Sequence, residues 1–398
     1  MPRDEAVLLA GDVPAVVGRR RFLGLLSAGM AAAGIPVSGL VRTASGAESF
    51  DRVDPDWMFE EPPVVLDQDP ERALLDQNEN PLAPSPVQRE ALIEALDLAN
   101  RYPDAEGRLV GQIAEHHGVG ERDVLMGCGS TELLKICPDA VIGSGRELLE
   151  GFPTYPTVAR YTSVRGGEVI SVPVDEMGRL DLDAMSERLN TRTEIVYICN
   201  PNNPTGAVLP DGRIRAFLSQ VPERVLVVVD EAYHDYVDDP AYRTLVPLAV
   251  ERPNLIVLRT FSKVYGLAGM RIGYGIAAAE TVRRLAPYRL TLDLNNPAIY
   301  AAMAALTDEE LYRETVAMND ESRRAIVREM PRFGGRPVPS QGGFVWVAFD
   351  RETDPIRRGL REHHVYVRTY SHSPRHLRIS TGPPRDMERL FEAMGKVV

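Results

Sequence analysis

Three short runs of branched apolar residues constrain this 398-residue chain more than any other feature: Ile195–Ile198, Val225–Val229 and Leu255–Leu258. Such runs are too short for helices and read as buried strands. The stretches between them have room for a helix with its loops, which is the α/β pattern of strands joined by crossover helices. Each run ends at polar residues. Cys199-Asn200-Pro201-Asn202-Asn203-Pro204-Thr205-Gly206 follows the first, Asp230-Glu231-Ala232-Tyr233 the second, and Arg259-Thr260-Phe261-Ser262-Lys263 the third. Open α/β sheets bind ligands at the carboxyl ends of their strands, so these residues are the first candidates for a site.

The third loop says most about chemistry. Partial burial of a lysine beside other cations lowers its pKa and frees the neutral amine as a nucleophile. Thr260, Ser262 and Arg271 around Lys263 would suit a phosphate, because arginine offers a planar fork of donors. An amine beside a phosphate cradle points to an aldehyde cofactor that carries a phosphate and is held as a Schiff base. Taken alone, the Ser262-Lys263 pair fits a surface lysine in a Gly-rich loop equally well. Two other stretches strengthen the cofactor reading. Asp230, behind five apolar residues, needs a cationic partner, and a protonated ring nitrogen would be one; a helix cap is the plainer alternative. Gly127-Cys128-Gly129-Ser130-Thr131-Glu132 leads from the strand-like Val124–Met126 into a helical run. Glycines at the mouth of a helix let backbone N–H groups approach an anion. The third glycine and acidic ribose contact of a dinucleotide fingerprint are missing.

With these partners in view, SKVYGLAGMRIGY (Ser262–Tyr274) resembles the lysine segment of the fold-type-I, pyridoxal-phosphate-dependent aminotransferases of class I/II. The likeness is closest to the histidinol-phosphate aminotransferase family and spans about residues 72–385. Asn-Pro-Thr-Gly at 203–206, Arg101-Tyr102-Pro103-Asp104, Gly151-Phe152-Pro153-Thr154-Tyr155-Pro156 and the segment Leu75–Pro86 also match that family. The resemblance implies an α/β fold: a large domain with a mostly parallel sheet flanked by helices, plus a smaller C-terminal α/β domain. It implies pyridoxal 5'-phosphate as cofactor and a homodimer. It also implies transfer of an amino group between an amino acid, or a histidinol-phosphate-like amine, and a 2-oxo acid.

The same resemblance assigns roles. Lys263 would hold the cofactor and shuttle the proton, Asp230 would pair with the ring nitrogen, and Tyr233 and Asn203 would bond the phenolic oxygen. Tyr155 would stack on the ring. Ser130, Thr131, Ser262, Arg271 and, from the other subunit, Tyr102 would hold the phosphate. Arg378 would bind the substrate α-carboxylate, with Arg368 helping to bind a side-chain anion. Read without the resemblance, Tyr102 fits a solvent-facing turn and Tyr155 a core or turn tyrosine equally well. The chain departs from the family pattern at Leu82-Ala83 and at Gly342-Gly343, which alters the expected pocket wall. A lyase or decarboxylase on this fold, or a non-catalytic cofactor-binding protein, would share every cofactor residue.

Hydrophobic residues make up 44% of the chain, enough for a large core and two domains. A net charge of −12 argues against non-specific nucleic-acid binding. The three cysteines are too few and too odd in number for a disulfide framework in a chain this long. His372 and His376 lie on an expected loop with no carboxylate motif beside them, so no metal site is expected. Residues 1–47 differ from the rest. Arg19-Arg20-Arg21-Phe22-Leu23 precedes an apolar, Gly- and Ala-rich run and then Ser45-Gly46-Ala47, which resembles a twin-arginine export signal with its cleavage site. An uncleaved anchor, or a basic leader on a cytoplasmic protein, fits the same residues. The expected organisation is a signal peptide at 1–47, an N-terminal arm at 48–85, a large cofactor-binding domain at 86–294 and a small domain at 295–398. The expected partners are a small-molecule amino donor and a 2-oxo acid acceptor, with membrane contact only through the export signal.

Overall fold

The computed structural model describes residues 72–398, so the expected signal peptide at 1–47 and the first part of the expected arm lie outside the described residues. The strands in chain order are β1 (Ala73–Leu75), β2 (Val124–Gly127), β3 (Glu147–Phe152), β4 (Glu168–Pro173), β5 (Thr193–Cys199) and β6 (Leu226–Asp230). They continue with β7 (Leu255–Thr260), β8 (Gly273–Ala277), β9 (Arg336–Pro337), β10 (Phe344–Ala348), β11 (Val365–Val367) and β12 (His376–Ser380). Seven of them form one sheet in the order β2-β8-β7-β6-β5-β3-β4. Within it β8 runs antiparallel to both neighbours, and the remaining pairs are parallel. The three apolar runs of the sequence are β5, β6 and β7, side by side.

Those runs are continuous because both faces are covered. Val227, Val229 and Val257 enter one core, while Leu226, Val228, Ile256 and Leu258 enter the core on the opposite face. The chain builds β5, β6 and β7 in one direction across the sheet and β3, β4 in the other. The order therefore reverses between β3 and β5, where such sheets open a crevice at their carboxyl edge.

A second core lies under the antiparallel sheet β12-β10-β9, with the helices Glu309–Glu329 and Pro384–Val397 packed against it. The long helix starts at Glu309, where the Asp308 side chain accepts from Leu311 N and caps it. Two boundaries differ from the sequence reading. The end of the arm, β1, pairs in parallel with β11 and buries Ala73 and Leu75 in the smaller core. The helix Asn296–Ala305 belongs to the large core, past the boundary expected at Asn295. Its small residues Ala298, Ala301 and Ala302 are fully buried there, and it packs on the helix Pro86–Leu96. Small side chains let two helices approach closely, a contact the local pattern did not reveal. The helix Pro86–Leu96 itself begins with Ser85 and Gln88 forming a reciprocal capping box.

Candidate active site

Lys263 lies just beyond β7 and Asp230 ends the adjacent parallel strand β6, so both reach the same edge of the sheet. The Lys263 Nζ donates to Asn78 O at 2.8 Å and lies 5.5 Å from the centre of the Tyr233 ring. Burial, with the positive charges of Arg378 and Arg271, holds its pKa down to about 8. The lowering expected from burial beside cations is thus present, and one of the cations comes from the other core. Asp230 is buried, with Oδ2 accepting from the Tyr197 hydroxyl and Oδ1 from Ala232 N, both at 3.1 Å. Burial pushes its pKa up to about 6 despite these donors. Among the described residues no arginine or lysine stands within ion-pair distance of Asp230. The Tyr233 hydroxyl accepts from Asn78 Nδ2 at 3.0 Å and from Asn203 Nδ2 at 3.5 Å, which places all three around one point.

Arg271 and Ser262, near Lys263 in the chain, meet a helix start from far upstream that would suit an anion. The helix Ser130–Val141 springs from Gly129, whose φ of 72° is left-handed, and no side chain at that position caps the helix. Its first N–H groups, including that of the buried Ser130 and of Thr131 after it, are left at the positive end of the helix dipole. Backbone is packed so closely here that a Cβ on Gly129 would lie 2.6 Å from Arg271 Nη2, and one on Gly273 would lie 2.5 Å from Ser130 N. Arg271 itself adopts a left-handed φ of 56° and points Nη1 at Ser262 Oγ, 3.4 Å away. Ser130, Ser262 and Arg271 therefore lie close together, with Thr131 next to Ser130 in the chain. Glu132 holds the loop in place by accepting from Cys128 N at 2.6 Å and from Leu290 N at 3.2 Å. Tyr155 follows β3 and leans on the core beside this cradle. Tyr102 is 78% exposed and makes no hydrogen bond among the described residues.

Arg378 comes from β12 and is buried against this edge. Its Nη1 donates to Asn203 Oδ1 at 2.8 Å and Nη2 donates to Asp76 O, while Nε is buried without a partner. The guanidinium lies 5.5 Å from the centre of the Phe344 ring and 5.8 Å from that of Tyr370. Arg368 is its backbone neighbour: each N–H donates to the other's carbonyl. Tyr370, His372 and Phe152 form a continuous aromatic wall, with Phe152 at the end of β3 5.0 Å from the His372 ring. At Gly342-Gly343 the backbone is closely packed. A Cβ on Gly343 would lie 3.2 Å from the Tyr236 ring, and one on Gly342 would lie 2.9 Å from Phe344.

Two site residues carried no signal of their own. Asn78 was only part of an irregular Asn- and Pro-rich segment. It holds a left-handed φ of 54°, is tied to Ser380 by a pair of hydrogen bonds, and presents its amide to Tyr233 and its carbonyl to Lys263. Tyr197 looked like one more apolar residue of β5. Glu231, by contrast, is structural: it forms a buried pair with Arg259 at 2.8 Å.

The residues fit a phosphate-bearing aldehyde with a basic ring nitrogen. The uncapped helix start and Arg271 would suit an anion, the buried Asp230 lacks a cation within ion-pair distance, and the same sheet edge carries an amine of lowered pKa. The family model for class I and II aminotransferases matches residues 71–394. The chain is 36% identical over 327 residues to histidinol-phosphate aminotransferase of Geobacillus sp. (strain WCH70), covering 81% of this chain and 89% of that protein. It is 38% identical over 328 residues to aromatic amino acid aminotransferase of Cutibacterium acnes (strain DSM 16379 / KPA171202), covering 81% and 92%. The solved structure of histidinol-phosphate aminotransferase from Sinorhizobium meliloti in complex with pyridoxal-5'-phosphate matches with a TM-score of 0.76 at 29% identity. That match covers 82% of this chain and 92% of the other.

Proposed function

Because this chain belongs to the class I and II aminotransferases, we propose that it is a pyridoxal-phosphate-dependent enzyme moving an amino group between an α-amino acid and a 2-oxo acid. One observation carries the reading: consecutive parallel strands deliver an amine with a pKa near 8 and a buried carboxylate to the same sheet edge, beside an anion cradle. When bound, the cofactor supplies an aldehyde and a ring that withdraws electrons from the substrate Cα.

The protein's own residues do the rest. With its pKa held down to about 8, Lys263 Nζ reaches its neutral form far more readily than an ordinary lysine, and as the neutral amine it would act as a nucleophile and as the base that removes and returns the proton at Cα. Asp230 would pair with the protonated ring nitrogen. Tyr233 and Asn203 would bond the phenolic oxygen, Tyr155 would stack on the ring, and Ser130, Thr131, Ser262 and Arg271 would hold the phosphate. Arg378 takes the α-carboxylate as a planar fork and so orients the Cα–H bond. Its unpartnered Nε and its seat on two aromatic rings support that role. Arg368, next to it in the backbone, helps bind an anionic substrate side chain. The substrate is an α-amino acid rather than histidinol phosphate, which has no carboxylate for Arg378.

The active form is a homodimer. Val87, Ile93, Leu96 and Leu290 are exposed apolar residues near Tyr102 in the chain or on the adjoining loop, and a second copy covering them would carry Tyr102 to its neighbour's phosphate cradle. The Arg19-Arg20-Arg21 segment lies upstream of the family match and is read as an export signal, placing the mature enzyme in the periplasm. Twin-arginine export carries folded proteins, which suits an enzyme loaded with its cofactor before it leaves the cytoplasm.

The test is a half-reaction. Purified holoprotein mixed with one amino acid and no acceptor should convert its cofactor from the aldehyde to the amine form and release one 2-oxo acid, while Lys263→Ala should do neither. Lyase or decarboxylase products, or no reaction with any amino acid, would refute the reading.

A further inference from the structure

Tyr197 sits in the middle of β5, fully buried. The β5–β6 register sets it opposite Val228, two residues before Asp230. Side chains two apart on a strand share a face, so Tyr197 and Asp230 lie diagonally on the same side of the sheet, within reach of a long aromatic side chain. The hydroxyl arrives 3.1 Å from Asp230 Oδ2, while Ala232 N takes Oδ1 at the same distance. One donor per oxygen fixes the plane of the carboxylate and leaves its remaining lone pairs for the pocket.

The rest of the Tyr197 side chain does what phenylalanine would do. It packs with Leu148, Leu226 and Val228 in an apolar core, where a hydroxyl is costly unless it is bonded. Burial keeps its own proton on, so it donates rather than ionises. The acid paired with it across β3, Glu150, is buried with its pKa pushed up to about 8, so it is neutral at pH 7 and adds no competing charge.

We propose that Tyr197 is a positioning residue for the cofactor: its hydroxyl keeps the Asp230 carboxylate ionised and aimed at the cofactor's ring nitrogen. The inference rests on the pyridoxal-phosphate reading and deepens it, since it assigns a second layer to the ring-nitrogen contact. A hydrogen bond to the charged form of an acid favours that form. Without the hydroxyl the buried carboxylate is more easily protonated and can turn away.

The experiment is a binding comparison on cofactor-free protein. Wild type and Tyr197→Phe are titrated with pyridoxal phosphate and with its 1-deaza analogue, which has carbon in place of the ring nitrogen. Tyr197→Phe should bind pyridoxal phosphate roughly tenfold more weakly or worse, the size expected for a hydrogen bond to a charged group, and should bind the deaza analogue as wild type does. In an Asp230→Asn background the same substitution should change neither affinity, because the group it positions is gone. Equal weakening for both ligands would mean a merely structural role and overturn the proposal, as would unchanged affinity for pyridoxal phosphate. Failure of the cofactor reading looks different: wild type would bind neither ligand, and the proposal would fall with it.

Discussion

Asp230→Asn should stabilise the cofactor-free protein while it cripples the enzyme. Burial raises the Asp230 pKa from 3.8 in the unfolded chain to about 6 in the fold. The folded state therefore holds this proton more tightly, and relative to strongly acidic solution it loses stability as the pH rises through that window. At about 1.4 kcal/mol per pKa unit, the full loss is about 3 kcal/mol, reached above the folded pKa. Asparagine removes the charge and can keep both hydrogen bonds. Its Oδ1 accepts from Ala232 N, and its Nδ2 donates to a Tyr197 hydroxyl that now serves as acceptor. Equilibrium denaturant unfolding of both cofactor-free proteins measures the gap. Asp230→Asn should be more stable by up to about 3 kcal/mol at pH 8, and by about half of that at pH 5. With cofactor bound, the order of usefulness inverts, and turnover should fall roughly 10²–10³-fold, as for loss of a preorganised electrostatic contact. Equal stability of the two cofactor-free proteins at pH 8, or a gap that does not change with pH, would show that Asp230 is not a strained charge awaiting its partner.

Arg378→Lys keeps the charge but loses the fork, so kcat/KM should fall together for every α-amino acid; a loss confined to one substrate would place Arg378 at the side chain instead. In the same assays α-amino acids should outrank histidinol phosphate, and a tenfold preference for histidinol phosphate, about 1.4 kcal/mol in transition-state binding, would refute the carboxylate argument. Replacing Arg19 and Arg20 by lysine should leave the folded, yellow protein in the cytoplasm, as read by cell fractionation; undiminished export would show that the Arg19–Arg21 run is not the signal.

Much of the site was legible because its chemistry lies directly after the strands that carry it. Asn203, Asp230 and Lys263 each follow an apolar run by a few residues, and the phosphate glycines sit where a strand gives way to a helix. Runs of branched residues set strand positions locally, and parallel crossovers bring successive strand ends to one edge whatever the rest of the chain does. Ser262 and Arg271 stood out as candidate anion ligands on no more than that.

Other features depend on which segments meet, and spacing along the chain carries little of that. Asn78 joins the site only because β1 pairs with β11 and brings it against Ser380, 302 residues away. Arg378 lowers the Lys263 pKa only because the smaller core closes over the large sheet. Tyr197 is indistinguishable from a core aromatic until the β5–β6 register puts its hydroxyl beside Asp230. The sequence by itself determined the strands, the loops that follow them and the reacting groups, since these depend on side-chain type and short-range backbone preference. The tertiary structure alone decided how those groups are charged and aimed. A buried pKa and a hydrogen-bond direction depend on every neighbour within a few ångströms, and most of those neighbours arrive from distant parts of the chain.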